Sequence, residues 1–132
     1  AAGLGISIYL SAVHATTSVP LYCSSTGLVN CERVVTSPSS YIVGIPVAYL
    51  GVAWFAAMFA LLFAPAIDPV RLARVAWACA GVAVVLLLLY RELFVIGSIC
   101  LWCTAVHVLT FIIFGVLMLA PPFSASKGFV TE

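Results

Sequence analysis

Between Gly44 and Tyr90 only three side chains carry a charge, Asp68, Arg71 and Arg74, and the same scarcity runs through the whole chain. It leaves four apolar stretches, at about residues 1–19, 44–64, 70–90 and 98–120. Each is close to the roughly 20 residues that a helix needs to cross a bilayer. Hydrophobic residues make up 65% of the 132 and charged residues 7%, with a mean hydropathy of +1.29. Soluble domains carry roughly 25% charged residues, so a water-soluble fold of this size could not hide so much apolar surface. Lipid offers the backbone no hydrogen-bond partners, so the stretches must be helices. The expected fold is an all-α membrane protein, one four-transmembrane-helix bundle in a single domain without internal repeat.

Punctuation supports the division. Pro65 and Pro69 separate the second and third stretches, with Asp68 expected as N-cap of the third, and Pro121 with Pro122 ends the fourth. The first stretch is polar for a membrane helix, with Ser7, Tyr9, Ser11, His14, Thr16, Thr17 and Ser18, and should face other helices. Residues 84–89 are apolar all round, as lipid contact requires. Ala1 opens directly in apolar sequence, with no initiator Met and no basic n-region. A preceding cytoplasmic segment is therefore expected rather than a cleaved signal peptide.

Few charges orient the bundle. Arg71, Arg74 and Lys127 fall on one side and Arg33 and Arg91 on the other, so the first side is read as cytoplasmic. A net charge of +1 gives no basic face for nucleic acid. Residues 20–43 and the turn near residues 91–97 then lie outside, and four cysteines share that face: Cys23, Cys31, Cys100 and Cys103. Disulfides persist outside a bacterial plasma membrane.

Cys100 and Cys103 form a CxxC dithiol at the start of the fourth stretch. Three residues apart on a helix, they share a face. The first turns of a helix stabilise a thiolate. Cys103 sits about 5 Å deeper than Cys100, at ~1.5 Å per residue. The shallower thiol suits exchange with a loop cysteine. The deeper one suits an apolar two-electron partner dissolved in the membrane, for which a quinone is the natural match. Two other readings stand beside this one: static disulfides, and a membrane metal-binding or transport protein using Cys100, Cys103 and His107. A static CxxC within a helix gains little loop-closure entropy, and a metal site wants further ligands at matched spacing.

The order of loop Cys23 and Cys31, then Ser37, then Gly44-Ile45-Pro46, then Cys100-x-x-Cys103 resembles the vitamin K epoxide reductase family in its bacterial-type form. The resemblance covers almost the whole chain. It implies an extracytoplasmic loop, residues 20–43, capping a quinone pocket, with a short helix at Cys31–Thr36. It implies that Cys23 takes electrons from a thioredoxin-like extracytoplasmic or periplasmic protein, that Cys31 exchanges with Cys100, and that Cys103 faces the quinone, of ubiquinone or menaquinone type. Ser37 matches a serine of the family's capping loop. His107 stands where animal members have Tyr, and Val47 where they have Asn, so quinone reduction is expected rather than epoxide reduction. Many bacterial members are fused to a thioredoxin-like domain, and none lies within these 132 residues. The implied location is the bacterial inner membrane, with the active site at the extracytoplasmic face.

Other side chains carry paired readings. His14 is a candidate to hydrogen-bond the quinone or carry protons, against a bond to a neighbouring helix, and His107 is a candidate to donate a hydrogen bond to a quinone oxygen. Trp102 is a candidate to stack on the quinone, and Trp54 a weaker one, against packing roles. Ser37 reads alternatively as a turn residue before Pro38. Cys79 is expected as a small buried hydrophobe, Tyr90 and Arg91 as an interfacial aromatic and a snorkelling cation. Glu92, beside Arg91, carries little weight in the orientation.

Overall fold

In the computed structural model the described residues are 1–16, 18–23 and 26–119. Thr17, the Pro121–Pro122 stop and Lys127 lie outside them. Four long helices run in the order α1 (Ala2–Ala15), α3 (Val47–Phe63), α4 (Asp68–Tyr90) and α5 (Leu101–Leu119). A short helix, α2 (Cys31–Thr36), stands between α1 and α3. Helix α1 packs on α3 and α5, and α4 packs on α3 and α5, so the four close into a ring.

Two of these helices are long and apolar enough to cross a membrane: α4 with its continuation, Asp68–Ile96, and α5, Leu101–Leu119. Helices α1 and α3 are apolar but shorter, at 14 and 17 residues. The first expected span ends four residues early because the chain leaves the helix at Thr16, whose φ and ψ are extended. The second starts late because residues 41–46 form a hairpin, β1 (Tyr41–Ile42) against β2 (Ile45–Pro46). Its turn residues, Val43 and Gly44, both have positive φ, 53° and 78°, as a two-residue turn matched to strand twist requires. Pro46 then occupies the N-cap position of α3.

Helix α4 begins at its expected cap, so the cap position falls one residue earlier. Ile67 is the N-cap position, and Asp68 sits inside the first turn with Pro69, its carboxylate 3.9 Å from Arg71. Aspartate in a first turn favours the positive end of the helix dipole. Arg74 closes the other side of this connection. Its Nε donates to the Leu61 carbonyl at 2.9 Å and a terminal nitrogen donates to that of Ala64 at 2.8 Å. Those carbonyls end α3 and lack helical partners. Beyond Tyr90 the helix does not stop in a simple turn. It widens into a π-helical turn, Arg91–Ile96, ended by Gly97 at φ 68°. Arg91 is no free interfacial cation: it donates to the carbonyls of Ser39 and Tyr41 at 3.1 and 3.2 Å. Cys79 is exposed on α4 rather than buried, because Ala78 takes the inward position.

The buried cluster gathers at the cysteine end of the helices: Leu10, Cys31, Val34, Val35, Ile96 and Cys100. Near the start of α1, glycine permits close approach. A Cβ on Gly3 of α1 would run into the ring of Phe55 on α3, which is itself buried. Overpacking of this kind costs about 1–3 kcal/mol. Gly3→Val is therefore expected to lower the thermal midpoint of the protein in detergent. An unchanged midpoint would contradict this packing of α1 on α3.

Candidate functional site

Backbone pairing brings the two cysteine pairs together. Residues 28–30 run alongside Ile99: the Ile99 N–H donates to the Leu28 carbonyl at 2.7 Å and the Asn30 N–H to the Ile99 carbonyl at 3.0 Å. Asn30 then caps α2, its side chain accepting the Arg33 N–H at 3.0 Å. That cap starts a helix at Cys31, which carries its sulfur directly opposite the start of α5. The Leu101 N–H donates to Cys31 Sγ at 3.3 Å. It is one of the N–H groups that a helix start leaves without an intrahelical partner, and it stabilises negative charge on that sulfur.

Cys23 and Cys31 are joined by a disulfide, their Cα atoms 6.0 Å apart, while Cys100 and Cys103 are thiols. Cys100 stands immediately before α5 rather than within its first turn. The placement still gives i,i+3 proximity, and the Cys103 N–H donates to Cys100 Sγ at 3.4 Å. Thr104 ties the same point down, its N–H and hydroxyl both donating to the Cys100 carbonyl at 2.9 and 2.8 Å. Accessibility falls from the loop cysteine inward to Cys100 and rises again at Cys103, which is half-buried. Cys23 is half-buried, Cys31 is 1% exposed and Cys100 0%.

Cys103 opens inward. It lines a cavity of about 410 Å³ between the helices and the 34–46 segment, with walls almost entirely apolar. Ligand pockets range over roughly 300–1,000 Å³ and combine such walls with a few polar groups. Here those groups are Ser7, His14, Arg91, Glu92, His107 and Thr110, with Ser39 and Ser40 at the rim formed by residues 38–40.

The sequence candidates divide around this cavity. His107 lines it, is buried, and has no hydrogen-bond partner on Nδ1. His14 also lines it, in the last turn of α1 rather than well below the helix end, with Nε2 2.8 Å from the Tyr41 hydroxyl. Trp54 lines it further along, exchanging ring N–H to carbonyl hydrogen bonds with Trp77 at 3.1 Å in both directions. Trp102 does not line it. Its ring turns the other way onto Tyr9, centroids 5.2 Å apart, and its N–H donates to the Tyr22 carbonyl at 2.8 Å. Ser37 is also outside it, capping the turn Pro38–Ser40 by accepting the Ser39 N–H at 3.2 Å. Among the described residues no three His, Cys, Asp or Glu side chains gather as a metal ion requires, so Cys100, Cys103 and His107 form no such group.

Glu92 is the residue that sequence reasoning passed over. It is 5% exposed, its Oε2 has no hydrogen-bond partner, and it lines the cavity with Cys103. The signal was present: an acid eight residues before Cys100, within an apolar run. Ionisable residues so placed are functional hypotheses by default.

A disulfide laid against the start of a helix, a dithiol behind it and an apolar cavity at the inner thiol define a thiol–disulfide oxidoreductase. The family model of the Vitamin K epoxide reductase family matches residues 1–118, and the chain belongs to that family. It is accordingly a membrane protein with oxidoreductase activity on thiols and disulfides, and it holds a disulfide-forming cysteine pair. No curated protein matches the chain.

Proposed function

We propose that this protein passes electrons from a reduced thioredoxin-like extracytoplasmic protein, through Cys23 and Cys31, to Cys100 and Cys103, and on to a membrane quinone of ubiquinone or menaquinone type. The four long helices form a four-span bundle in a bacterial inner membrane, with the cysteines at the extracytoplasmic face and residues 20–43 capping the cavity. Helices α1 and α3 are short for a ~30 Å hydrocarbon core, a mismatch that local thinning of the bilayer accommodates. The observation that carries the reading is the seating of Cys31 Sγ on the Leu101 N–H, one residue from Cys100, while Cys103 lines the cavity.

Each residue has a task that follows from its place. Cys23, the more accessible of the loop pair, meets the donor. Attack of the donor thiolate on Cys23 makes Cys31 the leaving thiolate, the Leu101 N–H stabilises charge on that sulfur, and Cys31 is then the nucleophile toward Cys100 of the oxidised Cys100–Cys103 pair. Cys100 exchanges with Cys31, and Cys103 closes the bond with Cys100. The cavity suits the head of a quinone by its apolar walls and by its two unpartnered buried atoms, Glu92 Oε2 and His107 Nδ1. Quinone, when bound there, supplies a two-electron acceptor. His107 offers a hydrogen bond to one of its oxygens.

Purified protein given a reduced thioredoxin-like donor should bleach the quinone absorbance catalytically. Absence of bleaching with any dithiol donor would sink the proposal. His107→Leu tests the cavity separately. A neutral hydrogen bond contributes about 0.5–1.5 kcal/mol, so KM for quinone should rise by roughly 2- to 12-fold. The thermal midpoint should not fall, since the substitution removes an unpartnered buried nitrogen. An unchanged KM would exclude His107 from the quinone contact.

A further inference from the structure

We infer that Glu92 is the proton-carrying residue of the cavity, taking the proton of the Cys103 thiol and giving it to the quinone oxygen. The inference rests on the quinone reading above and deepens it.

Among the described residues, two buried side-chain polar atoms lack a hydrogen-bond partner, Glu92 Oε2 and His107 Nδ1, and both residues line the same cavity as Cys103. An unsatisfied buried polar atom costs about 1–3 kcal/mol, more for a charged group. Buried polar atoms are otherwise partnered almost without exception, so a pair of orphans facing one space marks where a ligand completes them. Arg91, the chain neighbour of Glu92, turns its guanidinium to the carbonyls of Ser39 and Tyr41. The backbone holds Glu92 in place: its carbonyl accepts the N–H groups of Gly97 and Ser98. These bonds close the π-helical turn, and single π turns within helices are frequent at functional sites.

The reaction needs such a group. Two thiols and a quinone become a disulfide and a hydroquinone. One S–S bond forms, two S–H bonds break, two O–H bonds form, and two electrons pass from sulfur to the quinone. The walls are almost entirely apolar, and Glu92 is the one carboxyl group among the described residues that line them. Glu92 accepts the Cys103 proton, which frees the thiolate, and releases it to the oxygen. The Cys100 proton follows through the same carboxyl as the disulfide closes, and Glu92 ends as it began.

The test compares wild type, Glu92→Gln, Glu92→Asp and Glu92→Met, with a short-tailed ubiquinone and a small dithiol donor. General acid–base groups contribute about 10²–10⁴-fold. Glu92→Gln should therefore lower kcat by about 100-fold or more, with KM near that of wild type, and Glu92→Asp should recover part of the loss. Glu92→Met keeps the bulk and removes the orphan oxygen, so it should fold with an undiminished thermal midpoint and still lose kcat. Infrared difference spectra of quinone-free protein, reduced against oxidised, should contain a carboxylic acid C=O band that Glu92→Gln lacks. Full kcat in Glu92→Gln or Glu92→Met overturns the inference, as does a difference spectrum in which the Gln variant retains the band. Wild type that reduces no quinone overturns the reading beneath it, whereas wild type matched by Glu92→Gln overturns the inference alone.

Discussion

Cys103→Ser is expected to bring quinone reduction to the rate seen without protein, and to leave the fold intact. Cys103 is the one relay cysteine that lines the cavity, whereas Cys100 is fully buried outside it. Serine matches cysteine closely in size but forms no disulfide and carries no electron pair onward. The substitution removes the last step and no earlier one. Oxidised donor should still not accumulate beyond one equivalent per protein, because the Cys23–Cys31 bond can be reduced once and then has no outlet. Stopped-flow absorbance of the quinone, with the donor followed by thiol titration, measures both. Residual steady turnover would mean that electrons reach the cavity by another sulfur.

Cys31→Ser is expected to stop turnover as completely, but only for donors the size of a protein. Cys100 is 0% exposed and Cys31 1%, so neither can be approached by a thioredoxin-like domain directly. Cys23 can, being half-buried, but without Cys31 it has no partner through which to pass electrons inward. The Cys100–Cys103 dithiol is untouched. Protein reduced beforehand should therefore bleach one equivalent of quinone in a single turnover and then stop. A steady rate with the protein donor would show that the loop pair is not obligatory. No first turnover would show that the loop pair does more than relay electrons.

Much of this was legible in the sequence. The CxxC spacing, the loop cysteines and the count of apolar stretches placed the four sulfurs at one end, and Cys31–Thr36 is a helix as the family resemblance implied. What was illegible has a common physical cause. Residue spacing gives a side chain's direction only while the helical period holds, and the π-helical turn Arg91–Ile96 breaks it just before the motif. Glu92 therefore points into the cavity although simple counting left it as a charge beside Arg91. Trp102 follows Leu101 around the first turn of α5 and points away from the cavity that Cys103 faces, so adjacency in sequence to the motif misled. Cys79 illustrates the opposite error: a cysteine in an apolar helix was read as buried, but in a helix surrounded by apolar positions composition does not mark the inner face. The hairpin at Val43 and Gly44 was hidden because valine rarely takes positive φ.

The proposed relay joins the two pairs through Cys31 and Cys100. The double variant Cys23→Ser, Cys103→Ser leaves these two sulfurs without their ordinary partners. Oxidised mildly, alkylated and digested, it should yield by mass spectrometry one dominant cross-linked species, a Cys31 peptide joined to a Cys100 peptide in the same chain. Recovery of both cysteines as separately alkylated peptides, with no such link, would contradict the relay.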